Sequence, residues 1–408
     1  MKKLICIILT VILLCSCSEA EGTGSPEPKE HRESPYLMYV GSDQPERVGK
    51  EYEPLNYPVM KGIWLSYIDL TPMLRDAGEE QFRERFSAAC EDISGLGLNT
   101  VFVHVRPFGD ALYPSELYPP SAMWEEGFDP LRIMCDTAHE YGLSFHAWIN
   151  PLRLQTAEEL AAIDGSYPAA RWYREGEELV KTVEGDAHLY LDPAYPEARS
   201  LIARGAAEIA ENYDIDGLHY DDYFYPTTDQ SFDEECYSDL SGGLGLAEWR
   251  TENISKLCRE IYSSVKSVDE RIEVGISPQG NIENNYLFMY ADVGQFCSEE
   301  GFCDYILPQI YFGYENPVKP FLQTLEDWEE LRGGGRVRLI IGLGAYKISS
   351  EEEFIRYDGI IASQAEDCLG REDCSGIAIY SYGSLFTPEP DSSLRAEAEI
   401  NAVREVLR

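Results

Sequence analysis

Short apolar runs alternate with longer amphipathic segments along the chain after Lys61, and few folds accommodate that alternation. The short runs fall at 62–69, 100–106, 144–150, 217–222, 272–277, 305–311, 338–344 and 376–382. Between them, apolar residues recur at helical spacing over 80–96, 130–141, 197–213, 248–267, 317–332 and 351–369, and 393–407 closes the chain. The helix between the fifth and sixth runs is the least defined, within 290–300. Strands that alternate with helices pair in parallel, because each crossover returns the chain to the same edge. Eight such units predict a (β/α)8 TIM barrel with long loops at the C-terminal face of the strands.

Parity within the runs supports closure. Side chains on a strand alternate between faces. Val101, Val103 and Val105 alternate with Phe102, His104 and Arg106, and Phe145, Ala147 and Ile149 alternate with His146, Trp148 and Asn150. Leu218 and Tyr220 alternate with His219 and Asp221, Ile306 and Ile310 with Leu307, Gln309 and Tyr311, and Ile377 and Ile379 with Ala378, Tyr380 and Tyr382. Each run thus offers an apolar face to the helices and a second face that turns polar toward its carboxyl end, where barrel active sites lie. Loops after the second, third and fourth runs carry Tyr113, Tyr118, Trp124, Tyr167, Trp172, Tyr173, Tyr225 and Tyr237, which could stack on sugar faces or pack the loops against the rim.

The first residues have a different character. Lys2 and Lys3 precede an apolar stretch, 4–14, that is too short to span a bilayer, which needs about 20 residues. Together with Leu14-Cys15-Ser16-Cys17 this reads as a secretory signal whose end resembles a bacterial lipobox, with Cys17 the expected lipidation site. Residues 1–17 are therefore expected to be a lipoprotein signal peptide, 18–58 a Glu-, Pro-, Gly- and Ser-rich tether, and 59–408 the barrel. The expected location is extracytoplasmic, anchored to a membrane by lipid. Net charge is −40, from 73 acidic against 33 basic residues, which argues against a nucleic-acid partner because such binding rests on neutralising phosphates. Eight cysteines lie beyond the signal segment, and Cys368 with Cys374 is the first pair to test as a disulfide.

Asp221 is the leading catalytic candidate: it ends the fourth run on the lumen-facing parity, two residues after His219. Glycoside cleavage commonly uses two carboxyl groups, one as acid and one as nucleophile or base. Asp222 has the opposite parity and would reach the pore only where the strand ends or bulges. Glu315 and Asp110 are further candidates from loops after the sixth and second runs, and Asp69 could also reach the rim. The fifth run ends Ser277-Pro278 without an acid. His104, Arg106, Asn150, Arg153, His219, Gln309, Tyr311 and Tyr382, with Trp148 on the same parity, form a predicted substrate-binding ring. A hydroxyl-rich ligand needs such partners, since a buried donor or acceptor left unpaired costs about 1–3 kcal/mol.

His104, His146, His219 and Asp221 raise a rival reading, a metal-dependent barrel hydrolase. The sequence has no His-x-His pair, and each histidine falls on a different strand. Gly333-Gly334-Gly335 lacks the lysine of a phosphate-binding loop. No cofactor or metal is expected.

Several ordered motifs resemble the glycosyl-hydrolase-like 10 family: Lys61-Gly62-Ile63-Trp64, Asn99-Thr100-Val101 through Arg106-Pro107, Asp110-Ala111-Leu112-Tyr113-Pro114-Ser115, His146-Ala147-Trp148-Ile149-Asn150-Pro151, Tyr213 through Tyr223, Gly275-Ile276-Ser277-Pro278 and Pro308-Gln309-Ile310-Tyr311. The likeness runs from about Lys61 to Phe386. It implies a (β/α) barrel, frequent occurrence as a bacterial lipoprotein, and a fourth-strand aspartate two residues after a basic residue, which matches His219 and Asp221. It also implies glycan hydrolysis, with peptidoglycan strands stripped of their peptides as one substrate class. Related barrels place an acid at the end of the fifth strand, where this chain has Ser277-Pro278. The expected function is therefore an extracytoplasmic glycoside hydrolase acting on a polysaccharide. A non-catalytic glycan-binding lipoprotein is the alternative from another class.

Overall fold

In the computed structural model, which describes residues 52–408 apart from 125, 126, 222 and 223, eight parallel strands close into a barrel. In chain order the strands are β1 (Met60–Leu65), β2 (Thr100–Arg106), β3 (Ser144–Ile149), β4 (Arg153–Thr156), β5 (Val180–Thr182), β6 (His188–Leu191), β7 (Gly217–Asp221), β8 (Glu273–Ser277), β9 (Tyr305–Ile306), β10 (Arg338–Gly344) and β11 (Cys374–Tyr380). The barrel runs β1-β2-β3-β7-β8-β9-β10-β11 and back to β1. The remaining three strands form a small antiparallel sheet, β4-β6-β5, within the long connection after β3. Neither that sheet nor its pairing was expected from the sequence.

Strand parity sorts the core into two layers. Ile63, Val101, Val103, Phe145, Ala147, Leu218, Tyr220, Val274 and Ile276 belong to the large apolar cluster between the barrel and its helices. Met60, Trp64, Phe102, Trp148, Tyr305, Leu307, Ile340 and Ala378 fill the lumen. Burial of both layers drives closure at about 25 cal/mol per Å² of apolar surface.

Helix boundaries follow local chemistry. The first run was expected to extend to Asp69, but Ser66 instead caps a helix, Tyr67–Leu74, in a capping box with Asp69. The sixth run is a strand over only Tyr305–Ile306, since Pro308 has no N–H to give the ladder; Gln309 rejoins its neighbours through isolated bridges to Gln279 and Gly342. The segment 351–369 splits into Glu352–Arg356 and Ile360–Leu369, with Gly359 between them at φ 82°.

Residues 52–58, assigned by composition to the tether, lie on the amino-terminal face of the barrel. Buried Asp216, just ahead of β7, accepts hydrogen bonds from the Tyr52 hydroxyl, the Leu55 N–H and the Phe145 N–H. Arg338 and Arg271 donate to the carbonyls of Tyr57 and Tyr52. All eight cysteines of the described residues are buried free thiols. Cys374 donates to the Gly376 carbonyl at 3.1 Å, and Cys368 faces it as a thiol, so the pair singled out as a disulfide candidate is reduced here. Cys17 lies outside the described residues. Among the described residues no helix is long and apolar enough to cross a membrane.

Candidate active site

A cavity of about 440 Å³ opens at the carboxyl ends of the barrel strands. Its wall is built from strand ends and the residues just beyond them: Trp64 on β1 with Ser66, Tyr67 and Ile68 after it, His104 on β2, Trp148, Asn150 and Arg153 around the end of β3, Asp221 ending β7, Gln309 and Tyr311 after β9, Tyr346 after β10 and Tyr380 ending β11. Asp221 is 4% exposed and lies in register with Ser277 of β8. It is the one carboxylate among the described residues of the wall.

Beneath the cavity a hydrogen-bonded chain crosses the lumen. The Trp64 indole N–H donates to His219 Nε2 at 3.1 Å, which leaves the His219 proton on Nδ1, facing the Tyr305 hydroxyl oxygen at 3.1 Å. The Tyr305 hydroxyl then donates to His146 Nδ1 at 2.8 Å. Glycines make room for this chain: a Cβ at Gly217 would meet His146 at 2.2 Å, and one at Gly275 would meet Tyr305 at 1.9 Å. Above it, His104 stacks on Trp148 with ring centres 3.5 Å apart and planes within 7°. The Tyr67 N–H donates to His104 Nδ1, so the His104 proton is on Nε2, facing Asn150 Oδ1 at 3.2 Å; Asn150 in turn donates to the Pro107 carbonyl.

Burial pushes the imidazoles of His104 and His146 down to about 3, the charge of Arg153 adding to the effect at His104, and burial holds His219 well below its usual range. All three are neutral in the folded protein at neutral pH. The folded values lie below the unfolded-histidine value of about 6.5, so the unfolded state binds more protons in that window. Their stabilisation is complete above about 6.5 and is lost as pH falls toward 3. The imidazole signals of His104 and His146 in a proton NMR titration are expected to remain those of the neutral form from about pH 8 to about pH 5; a midpoint near 6.5 for either would refute the assignment.

The structure brings together Asp221, His104, Trp148, Asn150, Arg153, Gln309 and Tyr311. Other expected site residues lie elsewhere. Arg106 is turned out of the lumen because the pairing of β2 with β3 shifts register between His104 and Arg106; its guanidinium packs 4.1 Å above the ring of Tyr118, against Gly205. Tyr382 lies past the end of β11, in the short helix Tyr382–Phe386, where its hydroxyl donates to Asp92. His219 is on the lumen side but below the cavity, with both ring nitrogens engaged. Asp110 is buried in the loop after β2 and accepts from the Phe108 N–H. Glu315 is an exposed partner of Arg356 and Tyr357. Asp222 lies outside the described residues. Of the loop aromatics, Tyr113, Tyr118, Trp124 and Tyr225 are buried packing groups. The cavity takes its aromatic surface instead from Trp64, Tyr67, Trp148, Tyr311, Tyr346 and Tyr380, of which Trp148, Tyr311 and Tyr380 carried a parity signal in their runs. Among the described residues no group of three or more His, Cys, Asp or Glu side chains is arranged to hold a metal.

A closed barrel with a carboxylate, neutral imidazole, amide groups and aromatic faces at the carboxyl ends of its strands is a (β/α)8 barrel with a polar, aromatic-walled pocket where barrel active sites lie. The fold is shared with the glycoside hydrolase domain of PgaB (BpsB) from Bordetella bronchiseptica, at a TM-score of 0.56 and 14% identity over 84% of this chain and 99% of that one. Residues 59–356 match the model of the glycosyl hydrolase-like 10 family, and the chain belongs to that family. It is 30% identical to the glycosyl hydrolase DigH of Escherichia coli K12 over 380 residues, covering 84% of this chain and 82% of the relative. It is also 30% identical to the glycosyl hydrolase YngK of Bacillus subtilis over 339 residues, covering 73% and 64% respectively.

Proposed function

We propose that the chain hydrolyses glycosidic bonds of a polysaccharide in the Asp221 cavity, and that it does so outside the cytoplasm, held on a membrane by lipid at Cys17. The observation that carries the catalytic part is the placement of Asp221. It ends β7 between the stacked His104–Trp148 pair with Asn150 on one side and Gln309 with Tyr311 on the other. An aspartate in that setting can act as nucleophile or stabilise the positive charge that develops on the sugar. The flanking amides and Arg153 offer hydrogen bonds to hydroxyl, acetamido or carboxylate substituents. Membership of the family, and relatives named as glycosyl hydrolases, support the reaction class. Peptidoglycan glycan strands are the first substrate to try, on the resemblance described above.

The test is a digest of purified peptidoglycan, with and without its peptides, beside starch-type polymers, followed through new reducing ends. Soluble oligosaccharides are expected from peptide-free glycan, with the yield unchanged by a chelator. The presence of a single carboxylate among the described wall residues favours one other reading, a glycan-binding protein without catalysis. Tight glycan binding with no new reducing ends after long incubation would establish that reading instead.

A further inference from the structure

A second cavity, of about 470 Å³, adjoins the first. Ser66, Ile68, Tyr346 and Tyr380 line both, so the two share a wall. That wall is apolar yet open to solvent: Ile68 is 62% exposed and Tyr346 39%. Tyr346 is held on edge, its ring at 82° to Tyr311 and 85° to Tyr380, while those two rings stack on one another at 28°. A rigid, exposed aromatic beside a polar pocket suits a pyranose, which has an apolar C–H face and a rim of hydroxyls.

The rest of the second cavity's lining is rich in small hydroxyls, among them Ser349, Ser384 and Thr387. Its floor is braced by Asp69, whose carboxylate accepts from the Ser66 N–H, the Ser66 hydroxyl and the Gly383 N–H, tying the loop after β1 to the helix after β11. Among the described residues lining this cavity there is no Lys or Arg, and there are two carboxylates, Asp69 and Glu389. A carboxylated sugar would therefore meet like charge there, and an uncharged one would not.

We infer that the second cavity is a subsite for an uncharged hexosyl unit of the same glycan whose neighbouring unit lies at Asp221. The inference rests on the glycan-cleaving reading of the Asp221 cavity and adds to it that the enzyme grips at least two adjoining sugars. Binding energy from a unit remote from the scissile bond then contributes to the rate as well as to affinity.

The probes are chito- and cello-oligosaccharides from the disaccharide to the hexasaccharide. The blocking variants are Ser349→Trp and Thr387→Trp, which add bulk from two sides at exposed positions. Cleavage is measured with otherwise wild-type protein, and binding by calorimetry in an Asp221→Asn background. In at least one series, affinity and kcat/KM are expected to rise about tenfold or more with length, and both tryptophan variants are expected to lose that gain while handling the shortest ligand as wild type does. Cleavage of every length at the wild-type rate by both variants would overturn the subsite and leave the hydrolase reading intact. Length-dependent binding that the variants abolish, without cleavage by the wild type, would overturn the hydrolase reading and leave the subsite standing. No length dependence in either series overturns the subsite.

Discussion

Replacing Asp221 by Asn is expected to lower glycan hydrolysis by about a thousandfold or more while moving the thermal midpoint by no more than a few degrees. Asparagine keeps the shape of the side chain and removes the charge that a glycosyl cation or a covalent glycosyl intermediate requires. Loss of one positioned catalytic carboxylate commonly costs a factor of about 10²–10⁴. The residue ends a strand whose other lumen-facing side chain, His219, is locked between Trp64 and Tyr305, so the backbone that aims Asp221 is fixed from below. Single-turnover rates on a soluble oligosaccharide, compared with melting curves of both proteins, check the expectation; activity within tenfold of wild type would remove Asp221 from the chemistry. A complex structure would then identify its partner: a second carboxyl group at about 5–5.5 Å indicates retention at the anomeric carbon, and one at about 6.5–9.5 Å indicates inversion.

The largest stability effect is expected at Arg250. Its side chain and that of Asp233 are both 0% exposed. Two hydrogen bonds join them, Nε to Oδ2 at 2.8 Å and Nη2 to Oδ1 at 2.6 Å. The guanidinium also donates to the Asp229 carbonyl and the Tyr290 hydroxyl, and lies about 5 Å from the ring centres of Tyr225 and Tyr290. Arg250→Ala leaves the Asp233 carboxylate buried without its counter-charge. Breaking one side of such a pair costs about 3–5 kcal/mol, which for a chain of this size lowers the melting midpoint by roughly 4–7 °C. The double change Arg250→Met with Asp233→Leu is expected to recover much of the loss, because no buried charge remains. Chemical denaturation of the three proteins decides the matter, and a single-variant loss below about 1 kcal/mol would contradict the account. The anchored loop begins just after Asp221, so activity is expected to fall with Arg250→Ala at temperatures where the protein is still folded.

The barrel was readable because its two periodicities are simple. Apolar side chains at every second position face the helices, and the strand segments, spaced by helices, number eight. The same parity placed Asp221, His104, Trp148, Asn150, Gln309 and Tyr311 on the lumen side. Parity fails where the ladder slips or stops. One register shift turns Arg106 outward, and the end of β11 at Tyr380 puts Tyr382 on the helix side. Loop carboxylates could not be ranked, because an exposed ion pair such as Glu315–Arg356 and a turn-bracing group such as Asp110 have the same composition in sequence as a working acid. Tyr346 was not anticipated: it sits in a short 3-10 turn, Ala345–Ser349, that no repeat announces. The sheet β4-β6-β5 was missed because its strands are only three or four residues long and pair antiparallel inside a connection that otherwise reads as loop.

The seating of residues 52–58 against Asp216 gives the molecule a direction. The chain arrives on the face opposite the cavity, so a pull along it would act on the base of the barrel and not on the mouth. With the proposed anchor at Cys17, the leash to Tyr52 is 35 residue steps and extends at most about 120 Å in any conformation. The barrel would then work as a moored catalyst, sweeping a layer of about that depth. Glycan beyond that depth would stay out of reach however tightly the cavity could hold it, and the length of the leash, not the chemistry at Asp221, would define the territory.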